Sequence, residues 1–421
     1  MTEPSRRWIT VAYAVFTGYA AVAAGLSGGR DRVWAIWAVC GYAIATLLLW
    51  RRRGGWAAPL TVSVLLALVA PLLWNSVAFP LEDGVNVINR SAELLVHHGS
   101  PYLPADQVKD YLSYNPYLPV MALAGLPYAA GLRGLAGNSG VWLAVGTIVV
   151  LAAAFWALPT KRGTPRGPER RRLALTATGL ALASPVIALN LAVITTDPPV
   201  LAFILLSLAL AATAGDSWRA VWAAVALAAA CVLKDTAWLA VPVLVAMFWY
   251  RDGRRAAIRF TVALLASGLV MIALLAPATL IHPAAAKAMI RDTVLFPLGL
   301  TKIKTPAESL LPGHLLTELG TAGHVLSVGL LLAAGLAVAV SLFVRPPRDV
   351  RAAAWRMAIG LTLMFALGPQ VRFGYFLYPL GLAGWIFLTP GLTPYVVDDR
   401  QDAPDERAEH RQAGQPDQAR R

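Results

Sequence analysis

Cysteine is nearly absent: the 421 residues contain two, Cys40 and Cys231. Both fall within apolar runs, so neither is placed for a disulfide or a thiolate metal site, and both read as small packing residues. Charge is scarce as well. Only 14% of residues are Asp, Glu, Lys or Arg, against about 25% in ordinary soluble domains. No GxxxxGK[ST] loop and no GxGxxG turn is present, so an ATP-driven pump or a nucleotide-binding domain has no support. No internal repeat is evident.

What the chain has instead is apolar length. Hydrophobic residues make up 57% of it and its mean hydropathy is +0.60, which marks an all-α polytopic membrane protein. The net charge of +13 does not indicate nucleic acid, because the arginines sit in short connectors between apolar runs, the positive-inside pattern. Arg6 and Arg7 before the first run resemble the opening of a signal peptide, but further runs follow and an uncleaved first span is the better reading.

A span needs about 20 residues. The expected spans are Trp8 to Leu26, Val33 to Trp50, Trp56 to Phe79, Val141 to Leu158, Leu173 to Ile194, Pro198 to Ala214, Ala220 to Leu233, Thr236 to Tyr250, Phe260 to Ile281, Val325 to Val344, Met357 to Leu367 and Gly374 to Leu388. The bundle thus has about twelve spans. The basic stretches 51–53, 160–172, 251–259 and 345–351 mark the cytoplasmic side, with both termini inside. Residues 80–134 and 282–319 are then external loops. Parity allows only one crossing between Tyr114 and Lys161, so Tyr117 to Leu132, interrupted by Pro119, Gly125 and Pro127, is expected to be re-entrant or interfacial. Residues 1–397 form the transmembrane domain. The tail 398–421 has no aliphatic side chain larger than alanine and is expected to be a disordered cytoplasmic extension.

Sorted by side, the remaining ionisable residues gather at the external helix ends: Glu82, Asp83, Asp197, Lys234, Asp235, His282, Lys287, Arg291, Asp292, Lys302, Lys304, His314 and Arg372. Each also has a purely structural reading. Asn86, Arg90, Glu93 and His97 recur at helical spacing, giving an amphipathic helix on the membrane surface. Asp83 is placed to be its N-cap, and Glu82 to be a solvated helix end. Adjacent His97 and His98 are poorly arranged to chelate one metal and suit the interface. Lys234 and Asp235 can neutralise each other. Arg372, in "GPQVRFGYFLYP", can snorkel.

A carboxylate at the outer end of an early span, a surface helix ending in "GSPY" (Gly99 to Tyr102) and a "YNPYLP" segment (Tyr114 to Pro119) together resemble the GT-C membrane glycosyltransferases. Within these the chain is most similar to family 87, the polyprenyl-phosphate-mannose-dependent mannosyltransferases of actinobacteria. "TTDPP" at 195–199, "LKDTAWLAVP" at 233–242, "FPLGL" at 296–300, "TPAESLLPGHLL" at 305–316 and "RFGYFLYP" at 372–379 add to the likeness, which spans most of residues 8 to 390. Two departures are visible: Ile88 stands where such proteins carry a tyrosine about a turn after the acid, and "AES" at 307–309 replaces an Asn-Gln-Ser-like sequence.

The resemblance implies a GT-C-like bundle with its active site on the exterior. It implies transfer of a sugar, mannose first, from a polyprenyl-phosphate donor to a glycolipid or polysaccharide acceptor, with no metal and no cofactor. Asp83, preferred because it begins the surface helix where the dipole favours an ionised carboxylate, or Glu82 would be the catalytic base. Arg372, Lys234, His282, Lys287 and Arg291 form the pool of cations for the donor phosphate. Asp197, Tyr114, Asn115, Tyr102, Glu308 and His314 are the expected substrate contacts. The competing readings are a transporter or lipid flippase, which would place ionisable groups near the bilayer midplane, and an inactive assembly subunit.

Overall fold

The computed structural model describes residues 6–51, 55–159, 167–213, 217–303 and 309–389. Among them there is no β-strand. The principal helices are α1 (Arg6–Leu26), α2 (Gly29–Trp50), α3 (Ala57–Ala78), α4 (Asp83–His98), α5 (Ser139–Ala157), α6 (Pro168–Ala183), α7 (Pro185–Ala192), α8 (Pro198–Ala211), α9 (Ser217–Leu233), α10 (Ala240–Asp252), α11 (Arg254–Leu275), α12 (Thr321–Val344), α13 (Val350–Leu367) and α14 (Leu377–Leu388).

Seven of these, α1, α2, α3, α5, α11, α12 and α13, are long and apolar enough to cross a membrane. An eighth crossing exists if α6 and α7, bent by 64°, form one span. The other expected spans fall on shorter helices. At 1.5 Å per residue, the 14 residues of α8 cover about 21 Å, less than the ~30 Å hydrocarbon core. Yet most of α8 is buried, packed among α5, α9 and α14, and only the stripe of Phe203, Leu206 and Leu210 is partly exposed, so protein covers most of its surface.

Backbone groups freed by proline are paired again, as a membrane interior requires. Pro71 removes the donor that would meet the carbonyl of Ala67, and the indole of Trp34 on α2 donates to that carbonyl at 2.9 Å. The wide turn at Leu65–Val69 lies over the same stretch of α3, giving the proline ring room. At the α6–α7 bend, Ser184 donates to the carbonyl of Ala181 at 2.7 Å and caps Ile187, just where Pro185 breaks the ladder. The expected re-entrant or interfacial segment is a short 3₁₀ stretch, Pro119–Gly125, running into Leu126–Ala129 and packed against α4.

The surface helix is present over Asp83–His98, with Val85, Ile88, Ala92 and Leu95 on its buried side. It stops at Gly99, whose φ of +67° suits a residue without Cβ. At the opposite end of the bundle, arginines bind carbonyls at helix C-termini. Arg219 donates to Ala157 of α5 and to Ala209 and Leu210 of α8. Arg251 donates to Ala211, Arg6 to Leu49 and Arg170 to Trp156. The expected tail 398–421, and most of the basic connector 160–172, lie outside the described residues.

Candidate functional site

At the end of the bundle away from those arginines lies a cavity of about 180 Å³. It is built where α3 gives way to α4, α7 to α8, α9 to α10 and α13 to α14. Glu82, Asp83, Tyr111, Tyr114, Tyr117, Asp197, Lys234, Phe296, Arg372 and Tyr375 all line it. Six of the residues expected from sequence thus meet, although Glu82 and Arg372 are 290 positions apart (372 − 82).

The carboxylate pair divides unequally. Glu82, not Asp83, is the N-cap of α4: its Oε2 accepts from the backbone N–H of Gly84 at 2.6 Å, and Asp83 is the first helical residue. The expected cap at Asp83 is one residue late, because either acid of the adjacent pair can close the same first turn. Burial raises the Glu82 carboxyl above the ordinary carboxylate range; the Gly84 N–H opposes this, Asp83 adds to it, and Arg372 and Arg30 oppose it. Asp83 is exposed at the mouth and accepts from the hydroxyl of Tyr111 at 3.1 Å. A phenol therefore does accompany the acid, from a loop rather than from position 88. Tyr111 sits on a 3₁₀ turn held by the reciprocal capping of Asp110 and Ser113 and by Arg90, which donates to the carbonyls of Leu112 and Ser113.

Lys234 is bonded to Asp197, not to its neighbour Asp235: its Nζ lies 2.7 Å from Asp197 Oδ1. The same oxygen accepts from Tyr378 at 2.8 Å, and Thr236 donates to the Tyr378 hydroxyl. The ammonium also lies 4.5 Å from the Tyr375 ring centre and 5.7 Å from that of Tyr117. Lys234 ends α9 in extended conformation, so successive side chains point apart and Asp235 is directed away. Asp197 is presented by a tight turn in which Ile194 adopts φ +67°. A β-branched side chain there is strained by roughly 1–3 kcal/mol, and Gly140 leaves the space its side chain fills.

Arg372 faces the cavity without an ion pair to any described residue. Beside it Phe373 is 57% exposed. Tyr114 stacks on Phe296, ring centres 4.2 Å apart, so the segment 282–319 forms one wall.

Other expected site residues stand elsewhere. Arg291 is bonded to Asp292 at 2.6 Å and to the carbonyl of Leu103. Asp292 in turn accepts from the Asn115 backbone N–H, which makes this a buried clasp between the two loops. The Asn115 side chain closes a turn onto Tyr117 and binds the carbonyl of Pro101. Tyr102 donates to the carbonyl of Tyr117. These three are the cavity's supports rather than its lining. His282 and Lys287 are exposed on or beside the short helix Pro283–Ile290 and do not line the cavity. His314 faces the carbonyl of Pro369 and Glu318. Glu308 lies outside the described residues.

Comparison with protein-family models, with curated proteins and with solved structures finds no match for this chain.

Proposed function

We propose that this chain is a membrane glycosyltransferase of the GT-C type, similar to family 87, that moves a sugar, mannose first, from a polyprenyl phosphate to a glycolipid or polysaccharide acceptor on the outer face of a cell membrane. The observation that carries this reading is one cavity holding a carboxylate pair, an arginine without an ion-pair partner among the described residues and an apolar, aromatic rim. A sugar donor made of a lipid chain and a phosphate needs those three features together.

In the proposed reaction, a carboxylate of the Glu82–Asp83 pair takes the proton of an acceptor hydroxyl, and that oxygen attacks the anomeric carbon. The bond from this carbon to the phosphate oxygen breaks, and the phosphate leaves with the electron pair. Glu82 suits the base role better, since its half-buried carboxyl lies above the ordinary range and so holds a proton more firmly. Asp83 and Tyr111 stand at the mouth, where an acceptor enters. Arg372 meets the charge on the departing phosphate with paired donors. The isoprenoid chain lies against Phe373 and Tyr375. Lys234, already held by Asp197, contributes field rather than direct ligation.

The same reading completes the topology. The shorter helices α8, α9, α10 and α14 bring the passes to about twelve, and the arginine-capped end faces the cytoplasm. Polar groups collected at one end of the bundle favour this over a transporter, whose site would lie near mid-depth.

The test is incorporation of label from polyprenyl-phosphate mannose into envelope glycolipids by the purified full-length protein in lipid nanodiscs. Transfer by the wild type and its loss in Arg372→Ala and in the doubly amidated Glu82→Gln, Asp83→Asn protein would support the reading. A folded wild type inert toward polyprenyl-phosphate hexoses would overturn it.

A further inference from the structure

The carboxylate that caps α4 hangs on a four-residue linker, Phe79 to Glu82, between α3 and α4. Such a linker has no helical ladder of its own, so its carbonyls need partners from elsewhere. Each of its last three carbonyls has one. Leu81 accepts from the side-chain amide of Asn86 at 3.3 Å, and Glu82 from the backbone N–H of Asn86 at 2.9 Å. The carbonyl of Pro80 accepts from the guanidinium of Arg30, fifty positions earlier at the start of α2.

Arg30 is itself fixed. Its guanidinium lies 5.8 Å from the centre of the Phe79 ring, and its backbone carbonyl accepts from the side chain of Asn75 at 3.4 Å. Asn75 is fully buried and also donates to the carbonyl of Ala192 at 2.9 Å, at the end of α7, just before the turn that carries Asp197. One knot therefore joins α2, α3, α7 and the linker, and none of Arg30, Asn75 and Ala192 lines the cavity.

We infer that Arg30 is a positioning residue for Glu82: it anchors the linker through the Pro80 carbonyl and supplies a fixed positive charge behind the carboxylate. The inference rests on the assignment of Glu82 to the reacting cavity, but not on the identity of the substrate. The charged and titratable groups that act on Glu82 are Asp83 from α4, Tyr117 from the loop after α4, Arg372 from the approach to α14 and Arg30 from α2, while Tyr111, Tyr375 and the mutually paired Asp197 and Lys234 line the same cavity. Arg372 is open to solvent and to an incoming anion. Arg30 is tethered on the protein side, so its field remains when a phosphate engages Arg372.

The experiment is an infrared pH titration of the carboxyl band of full-length protein in nanodiscs, with the Glu82 band assigned by its loss in Glu82→Gln. In Arg30→Gln the midpoint of that band moves to higher pH, because a cation that favours the ionised form is gone. In Arg30→Lys the midpoint stays near the wild-type value while turnover falls roughly tenfold, since the charge survives and the geometry does not. Neither substitution changes the affinity for decaprenyl phosphate, used alone as the binding probe. A folded Arg30→Gln protein with an unmoved Glu82 midpoint would overturn the inference. So would a loss of decaprenyl phosphate binding in both variants, which would make Arg30 a phosphate ligand. A wild type without transferase activity but with the shifted band in Arg30→Gln would refute the proposed function and leave the positioning role standing.

Discussion

Replacing Asp197 by asparagine removes one charge and little else, which makes it the sharpest probe of the cavity floor. The amide keeps an oxygen for the Tyr378 hydroxyl, which now donates to Asp197 at 2.8 Å, but leaves the ammonium of Lys234, a residue 5% exposed, without its carboxylate. Breaking a buried pair from one side costs about 3–5 kcal/mol. The rings of Tyr375 and Tyr117 stay within 6 Å of the ammonium in both proteins and offset none of this loss, so Asp197→Asn should destabilise by about 3–5 kcal/mol. Adding Lys234→Met removes the stranded charge and should restore stability to within ~1 kcal/mol of wild type. The assay is unfolding in mixed micelles followed by tryptophan fluorescence across the four-protein cycle, with a coupling of at least about 2 kcal/mol expected. A wild-type midpoint in Asp197→Asn, or simple additivity in the double variant, would refute the reasoning. Transfer activity in the double variant then separates structure from chemistry: a stable protein that still turns over confines Lys234 to support of the floor.

Arg372→Ala should lower turnover by about a hundredfold or more, with Arg372→Lys recovering only part, because the charge alone lacks the two-pronged geometry; unchanged donor affinity and rate in the alanine variant would reduce Arg372 to a snorkelling anchor. Glu82→Gln should abolish transfer, and Asp83→Asn should leave a measurable rate with weakened acceptor binding; the reverse pattern would move the base to Asp83. With Glu82 as base, activity should rise with pH through a midpoint above the ordinary carboxylate range, because the ionised form is the working one and burial raises the carboxyl. The same direction means that the Glu82 contribution to stability is present below the unfolded carboxylate's pKa and is lost as pH rises through the folded one, which a denaturation series against pH will read. For orientation, a cysteine at exposed Asp106 should react with an impermeant reagent in intact cells and one at exposed Arg255 should not; the opposite labelling would invert the topology.

Much of the architecture was legible because hydropathy and proline act locally. The long spans, the surface helix from Asp83 and the broken segment near Pro119 follow from span length, from helical spacing of polar residues and from missing backbone donors. The gathering of Glu82, Asp83, Asp197, Lys234 and Arg372 at one end follows from the charge asymmetry of the connectors. Partners were not legible. Asp235 is adjacent to Lys234 in sequence, but the extended backbone sends their side chains apart, and the true partner sits thirty-seven positions back. Tyr102 and Asn115 looked like substrate contacts because they are polar groups in the long loop between spans; their bonds turn inward to the backbone. Arg30 carried no signal at all, being one more arginine in a short turn between spans.

The arginines that close the helix C-termini have a consequence for how the protein is made. Arg219 grips carbonyls of α5 and α8, segments that leave the ribosome before it does, and Arg251 reaches back to Ala211 in the same way. Until those side chains arrive, the ends of two completed helices keep carbonyls that only water or lipid headgroups can satisfy. At Arg219 and Arg251 the bundle is therefore sealed retroactively during synthesis, each side chain fastening helices made before it. Lysine at these positions would preserve the charge yet fasten less well, because one ammonium cannot reach the several carbonyls that the Arg219 guanidinium holds at once.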